Sequence, residues 1–408
     1  MTDADLQHRL TAMFADGSQR PIDTDGAWRE LRLRRSRAGH NRRRWLAAAA
    51  AASVVAVVAT AIPLLSGSLS AAPPGRPPTG PASRPSKAPG TFRSYPGAIV
   101  ARIAVSGVVD VVQAGARAWA VRNSGSTASD SYQLVGIDLR TDRSTLRVNL
   151  GRSFRAVVAG HGMVWLTTTK GQAQGQLERI DPATGGVITT LHLPVGRCSY
   201  ATYGGGRLWA QCADGRGATL FLRINPVTGV VDGRFGPVRG QFGSIAVAPQ
   251  GLWYTTDSGI SGLVGAGSAA RAITVRDPAY PVSFAYAQSL VYSQGFIWVL
   301  TNDESVAKID PATGRVVRVY TYASYDPADN GGLDFLAAGG GSLWFLDDGY
   351  PFSGVLRVSE ATGRPLGGVT VPSGSCGEPC WQIYVSGSAV WVPTMESLLR
   401  IDPARLPG

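Results

Sequence analysis

Residues 290–321 read LVYSQGFIWVLTNDESVAKIDPATGRVVRVYT. Two runs meet at Ser-Gln-Gly, and two more meet at Asp-Pro-Ala-Thr-Gly. Glycine and proline set turn dihedrals, so each break reads as a hairpin. The stretch therefore predicts four strands, called a to d here. Strand a is a run of small apolar residues, b carries Trp298, c is the Val-Ala-Lys-Ile-Asp segment, and d follows the turn. Working outward, the a–b signature recurs seven times, as AGARAWAV, AGHGMVWL, GGGRLWAQ, APQGLWYT, SQGFIWVL, GGGSLWFL and SGSAVWVP. Its tryptophans are Trp119, Trp165, Trp209, Trp253, Trp298, Trp344 and Trp391, at spacings of 46, 44, 44, 45, 46 and 47 residues. The c–d signature follows in six repeats, as GIDLRTD, RIDPATG, RINPVTG, KIDPATG, RVSEATG and RIDPARL; the fourth, GLVGAGSAARAITV, has lost it.

Four strands at a period near 45 residues fit a propeller blade. Small residues on strand a suit the crowded centre of a ring, and each Trp supplies bulk between neighbouring blades. The chain ends give an independent argument. The last repeat stops after its c strand at Ile401-Asp402-Pro403, and an orphan strand, IVARIAV at 99–105, precedes the first repeat. A ring closes if that orphan completes the last blade and hides its edge. The expected fold is an all-β, seven-bladed β-propeller at 98–408 with four-stranded blades.

The motif pair, a GxGxLWV run and LxRIDPATGxV, resembles the YVTN-type, virginiamycin B lyase-like propellers. The resemblance covers about 98–408 and implies the fold. It implies little about activity: the lyases use a histidine and a magnesium ion. Here His8 and His40 lie in the N-terminal tail, His161 in an a–b turn and His192 in a d strand. None matches, and no residue role is carried over.

Composition narrows the function. The net charge is +11, but it is unevenly spread. Residues 1–44 hold ten Arg against six acids, and residues 66–97 hold three Arg and a Lys with no acid. Residues 98–408 hold 25 basic and 22 acidic side chains, close to balance, so a nucleic-acid face is not expected. Residues 45–65 form a 21-residue uncharged run. As a helix it spans about 30 Å, enough for a bilayer core. Arg42, Arg43 and Arg44 abut its start, which by the positive-inside rule sets 1–44 in the cytoplasm and the rest outside. A rival reading is a cleaved export signal, since Arg42–Leu46 partly resembles a twin-arginine motif and 68–71 a cleavage region. Residues 66–97, rich in Pro, Ser and Gly, read as an extended linker. The expected location is a cell membrane, single-pass, with the propeller extracytoplasmic. The overall arrangement resembles anchored actinobacterial proteins.

Four cysteines in an exported domain are expected to be oxidised. Cys198 and Cys212 flank the a–b hairpin of blade 3, and Cys376 and Cys380 close a small loop before blade 7. Of three pairings the local one is favoured, because blades 3 and 7 lie far apart in the ring. The lesser alternative is a CxxxC metal or redox site.

A site is expected where loops vary. The a–b and c–d turns share one face and barely vary, whereas the b–c and d–a connections on the other face do. From the strand-c Ile or Val to the next Trp the distance is 28 or 29 residues in early repeats but 35 and 33 into blades 6 and 7. Blade 1 carries the longest b–c loop, Asn123 to Asp130, and closure makes blades 6, 7 and 1 consecutive. The insertions supply Tyr325, Asp326, Asp329, Asn330, Asp334, Asp347, Asp348, Tyr350 and Phe352; the blade 7 loops add Glu378, Trp381 and Glu396. Carboxylates with an amide suit a hard cation such as Ca²⁺ or Mg²⁺, and the aromatics suit a sugar or peptide. The plain alternative is solvated loop acids. No nucleophile elbow, zinc-protease, P-loop or EF-hand motif occurs. The function expected is a membrane-anchored binding module for an envelope polymer, peptide or protein. The alternative is a metal-dependent lyase- or lactonase-like enzyme.

Overall fold

Each repeat forms an antiparallel sheet whose strands lie side by side in chain order. Blade 1 is β2 (Val108–Ala114), β3 (Arg117–Asn123), β4 (Tyr132–Asp138) and β5 (Arg143–Gly151). Blades 2 to 7 follow, with first strands β6 (Phe154–Gly160), β10 (Cys198–Gly204), β14 (Phe242–Ala248), β18 (Ser289–Ser293), β22 (Leu333–Gly339) and β26 (Tyr384–Ser386). The computed structural model describes residues 93–406, apart from 125–130, 152–153, 171–173, 215, 217, 239–241, 257–258, 265–270, 276–286, 288, 302–304, 323–332, 348–352 and 372–381. All described residues belong to one compact unit, Thr79–Gly408.

The first strands form the inner ring. Each packs against the first strand of the next blade, and β26 returns to β2. Closure is the one the chain ends require. Strand β1 (Ile99–Ile103) pairs antiparallel with β28 (Leu398–Ile401), so blade 7 has the order β1-β28-β27-β26, with β27 at Ala389–Pro393. Just before β1, Tyr95 donates its N–H to Gly368 O at 2.9 Å, and Thr370 N–H donates to Ser94 Oγ at 3.0 Å. These bonds fasten the chain entering the ring to the outer strand of blade 6.

The core is divided into seven wedges, one at each boundary between blades. Each wedge is led by one blade Trp and filled by apolar residues of the next blade: Trp119 with Val157 and Leu166, Trp253 with Leu290 and Val299, Trp391 with Val111 and Ile137. Six of the seven tryptophans are 0% exposed; Trp209 is 6% exposed. The repeated strand-c position opposite Trp explains how the indole is covered. Trp165, Trp298, Trp344 and Trp391 face Arg179, Lys308, Arg357 and Arg400 across the b–c ladder, and Trp209 faces Arg223. The cation sits over the indole at 4.9 Å for Lys308, 5.4 Å for Arg357 and 5.8 Å for Arg179, whereas that of Arg223 lies over Phe235. In blades 1 and 4 the partner is glycine instead. A Cβ on Gly262 would meet Trp253 at 2.7 Å.

Cys198 and Cys212 are directly paired across β10 and its neighbour β11 (Arg207–Ala213) and are bonded, S–S 2.01 Å. Closing a loop of this size is worth about 3 kcal/mol in the chain-entropy model. Cys376 and Cys380 lie outside the described residues. The same is true of the tail 1–44, the run 45–65 and the linker to residue 92. Among the described residues no helix is long and apolar enough to cross a membrane.

Candidate functional site

The described residues at the edges of the expected site lie on one face of adjoining blades. Asp334 lies near the start of β22, Asp347 ends strand β23 (Ser342–Asp347), and the backbone pairs Leu333 with Asp347. Glu396 is exposed in the four-residue turn between β27 and β28, on the same face of the next blade. Tyr325, Asp326, Asp329, Asn330, Asp348, Tyr350, Phe352, Glu378 and Trp381 lie outside the described residues. Among the described residues no three His, Cys, Asp or Glu side chains converge on a metal-sized site.

The opposite face, carrying the a–b and c–d turns, is built in detail. Each repeated Asp folds its own turn: Asp181 Oδ1 accepts from Ala183 N–H at 2.8 Å, and Asp310 Oδ1 from Ala312 N–H at 2.8 Å. Backbone N–H donors hold the carboxyls of Asp138 and Asp181 below the usual range. These acids, read from sequence as turn chemistry, are that.

Cations of one blade then grip the c–d turn of the next. Arg117, at the start of strand b in blade 1, donates Nη1–H to Pro182 O at 2.9 Å and Ala183 O at 2.7 Å. Arg357, on strand c of blade 6, reaches Pro403 O at 3.0 Å. Arg400, at the equivalent place in blade 7, reaches Leu139 O at 2.8 Å and the Asp142 carboxylate. In blade 5 the cation is Lys308, and the next turn offers Glu360 in place of the usual proline. Glu360 is 2% exposed, accepts from Ser293 Oγ–H at 2.9 Å, and feels the Lys308 charge. Burial raises the Glu360 carboxyl and lowers the Lys308 ammonium from their ordinary values.

In blade 3 the cations are Arg207 and Arg223, and both bind their own blade; the fourth repeat, which follows, lacks the turn motif, and its connection 265–270 lies outside the described residues. Arg207 Nε–H and Arg223 Nε–H each donate to Asp232 at 2.7 Å. Burial works against ionised Asp232, but the two guanidinium bonds outweigh it and lower its pKa. A cleft of about 270 Å³ lies beside them, lined by Gly204, Arg207, Trp209, Arg223, Val247 and Gln250 among others. At the boundary between blades 2 and 3 the Tyr203 ring covers Gly160, where a Cβ would meet it at 2.3 Å. At the next boundary the residue in that place is the smaller Val247, which packs over Gly204 and lines the cleft.

The inner ring holds one further group. Edge strands carry unpaired backbone groups, and polar side chains at one register position bridge them to the next blade. Ser289 Oγ–H donates to Leu336 O at 3.1 Å, and Leu290 N–H donates to Ser244 Oγ at 3.2 Å. In blade 1 this position is Asp110, whose Oδ2 accepts from Val157 N–H at 3.4 Å. The surrounding strands push its carboxyl up to about 7, desolvation outweighing the backbone donors. Nearby Tyr384 donates to Val109 O at 2.7 Å, and burial with the Asp110 charge raises its phenol.

Sequence reading missed the Arg207–Arg223–Asp232 cleft and Asp110. The signals were present: the lost motif in repeat 4, Val where repeat 3 has Tyr203, and a lone acid in the run Val108–Ala114.

No family model matches the chain, and no curated protein does. Solved structures do. The WD40 β-propeller domain of Doa1 superposes with a TM-score of 0.52 at 13% identity, covering 75% of this chain and 98% of that one. The β-propeller domain of Myceliophteria thermophila Cps50 (Swd1) gives 0.54 at 11% identity, covering 74% and 98%. At such identities the likeness is one of fold, and it makes residues 93–406 a β-propeller.

Proposed function

We propose that the chain is a membrane-anchored, extracytoplasmic interaction module whose ring presents fixed faces to a cell-envelope partner, with kinship to the YVTN-type propellers. The observation that carries the interaction role is the locking of the ring. Each blade boundary holds a buried wedge, and arginine clamps and inner-ring bridges add polar ties across several of them. A locked ring holds its surface groups in place, which lowers the ordering cost of binding. The anchor rests on the 21-residue uncharged run behind Arg42–Arg44, and the YVTN kinship on the repeated turn and Trp motifs.

Two measurements test it. In intact cells carrying the full chain, Ser86→Cys is expected to react with a membrane-impermeant maleimide, and Ser18→Cys only after permeabilisation; the reverse pattern sinks the topology. Amine-reactive cross-linking of the same cells is expected to give a discrete higher-mass adduct, and a chain that stays monomeric counts against the interaction role.

A further inference from the structure

We infer that the cleft between blades 3 and 4 binds a carboxylate of an acidic peptide segment, with Arg207 and Arg223 as its contacts. This rests on the interaction-module reading and names the partner chemistry and the place on the ring.

The cleft combines three features. The first is unbalanced charge: two guanidinium groups meet the single carboxylate of Asp232. Arg207 commits Nε to Asp232 and Nη1 to Gly206 O; Arg223 commits Nε and Nη2 to Asp232. Nη2 of Arg207 and Nη1 of Arg223 have no protein partner among the described residues. In blades 1, 6 and 7 the equivalent cations spend these donors on the next turn, as Arg117, Arg357 and Arg400 do; the corresponding turn of blade 4, 265–270, lies outside the described residues. Guanidinium donors match a carboxylate in geometry as well as charge, and Asp232 fixes both in advance.

The second feature is an apolar floor. Trp209 retains 6% exposure where the other six blade tryptophans have none, and it lines the cleft with Val247. The third is an apolar margin on the same face. Val227 and Val230 of the blade 3 turn are 59% and 58% exposed, and Val187 and Ile188 of blade 2 are 53% and 51% exposed. The blade 3 turn packs on the outer strand of blade 2 that starts at Val187, since a Cβ on Gly229 would meet Leu191 at 2.6 Å. A peptide supplies both an acid for the arginines and side chains for the β-branched margin. A simple polyanion would use neither floor nor margin, and the ring is too nearly balanced in charge to attract one.

The test is calorimetric titration of the purified full chain with a hexapeptide of alternating Glu and Leu and with its Gln counterpart. Two variants separate site from scaffold. Val247→Tyr fills the cleft as Tyr203 fills the neighbouring boundary and keeps both arginines. The double variant Arg207→Gln/Arg223→Gln removes the charge and keeps the volume. Saturable binding of the Glu peptide is expected, at least about tenfold weaker for both variants and for the Gln peptide, and weakening with salt. Equal binding by wild type and the double variant overturns the site, as does no binding at about 1 mM peptide. Equal competition by inorganic phosphate overturns the peptide class. Cellular adducts that persist in Val247→Tyr remove this site and leave the interaction role standing; a chain without adducts that still binds peptide does the opposite.

Discussion

Asp110 shows how one residue can carry a pH dependence for the whole ring. Its side chain does the bridging done by serine in blades 4 and 5, but with an ionisable group. The folded-state pKa, near 7, lies above its unfolded value of 3.8. The folded state therefore binds the proton more tightly. The stability this gives is fully present below about pH 4, is lost as pH rises toward 7, and is absent above that. Glu360, also raised by burial, acts in the same direction. Acids held low by their turns, such as Asp138, lose their contribution only at lower pH. Thermal unfolding between pH 5 and 8 is expected to show a falling midpoint for the wild type. The slope should be shallower for Asp110→Asn and shallower still with Glu360→Gln added. An unchanged slope in both variants would remove Asp110 from the account.

At the scale of the element, the unit that matters is the Trp-bearing strand with its strand-c partner. The indole belongs to one blade and packs into the next, so its loss opens a cavity at a boundary where neither sheet can close in. Trp344→Ala is expected to cost about 3–5 kcal/mol, read from the midpoint of denaturant unfolding. Arg357→Ala should cost less, because it removes the cation over Trp344 and the tie to Pro403 but leaves the wedge filled. A Trp344→Ala loss under 1 kcal/mol would mean that the wedges do not hold the blades together.

For the whole molecule the decisive device is closure by β1. Without residues 99–103, β28 becomes an unpaired edge and blade 7 loses a strand. A chain lacking them but otherwise intact is expected to unfold at lower temperature and to move into aggregated fractions on size-exclusion chromatography. A monomer with wild-type melting would show that ring closure does not depend on the strand.

What the sequence determined was everything repeated. Seven tryptophans at nearly constant spacing, the Asp-Pro-Ala-Thr-Gly turns and the mismatched chain ends dictate blade number, strand order and closure, because these follow from local turn chemistry and pattern. The Cys198–Cys212 bond was legible for the same reason: both residues flank one hairpin. What only the tertiary structure decided lies between repeats. Whether Arg207 grips a neighbour or turns back to Asp232 depends on the facing blade, some 40 residues further along the chain. So do the volume beside Val247 and the environment that raises Asp110. Such contacts are set by how one sheet meets the next, and no window of the chain contains both partners. The acidic loops of blades 6 and 7 stand between the two cases. Their face was legible from spacing, and the backbone of Asp334, Asp347 and Glu396 follows it. Their chemistry depends on side-chain convergence, which spacing does not encode.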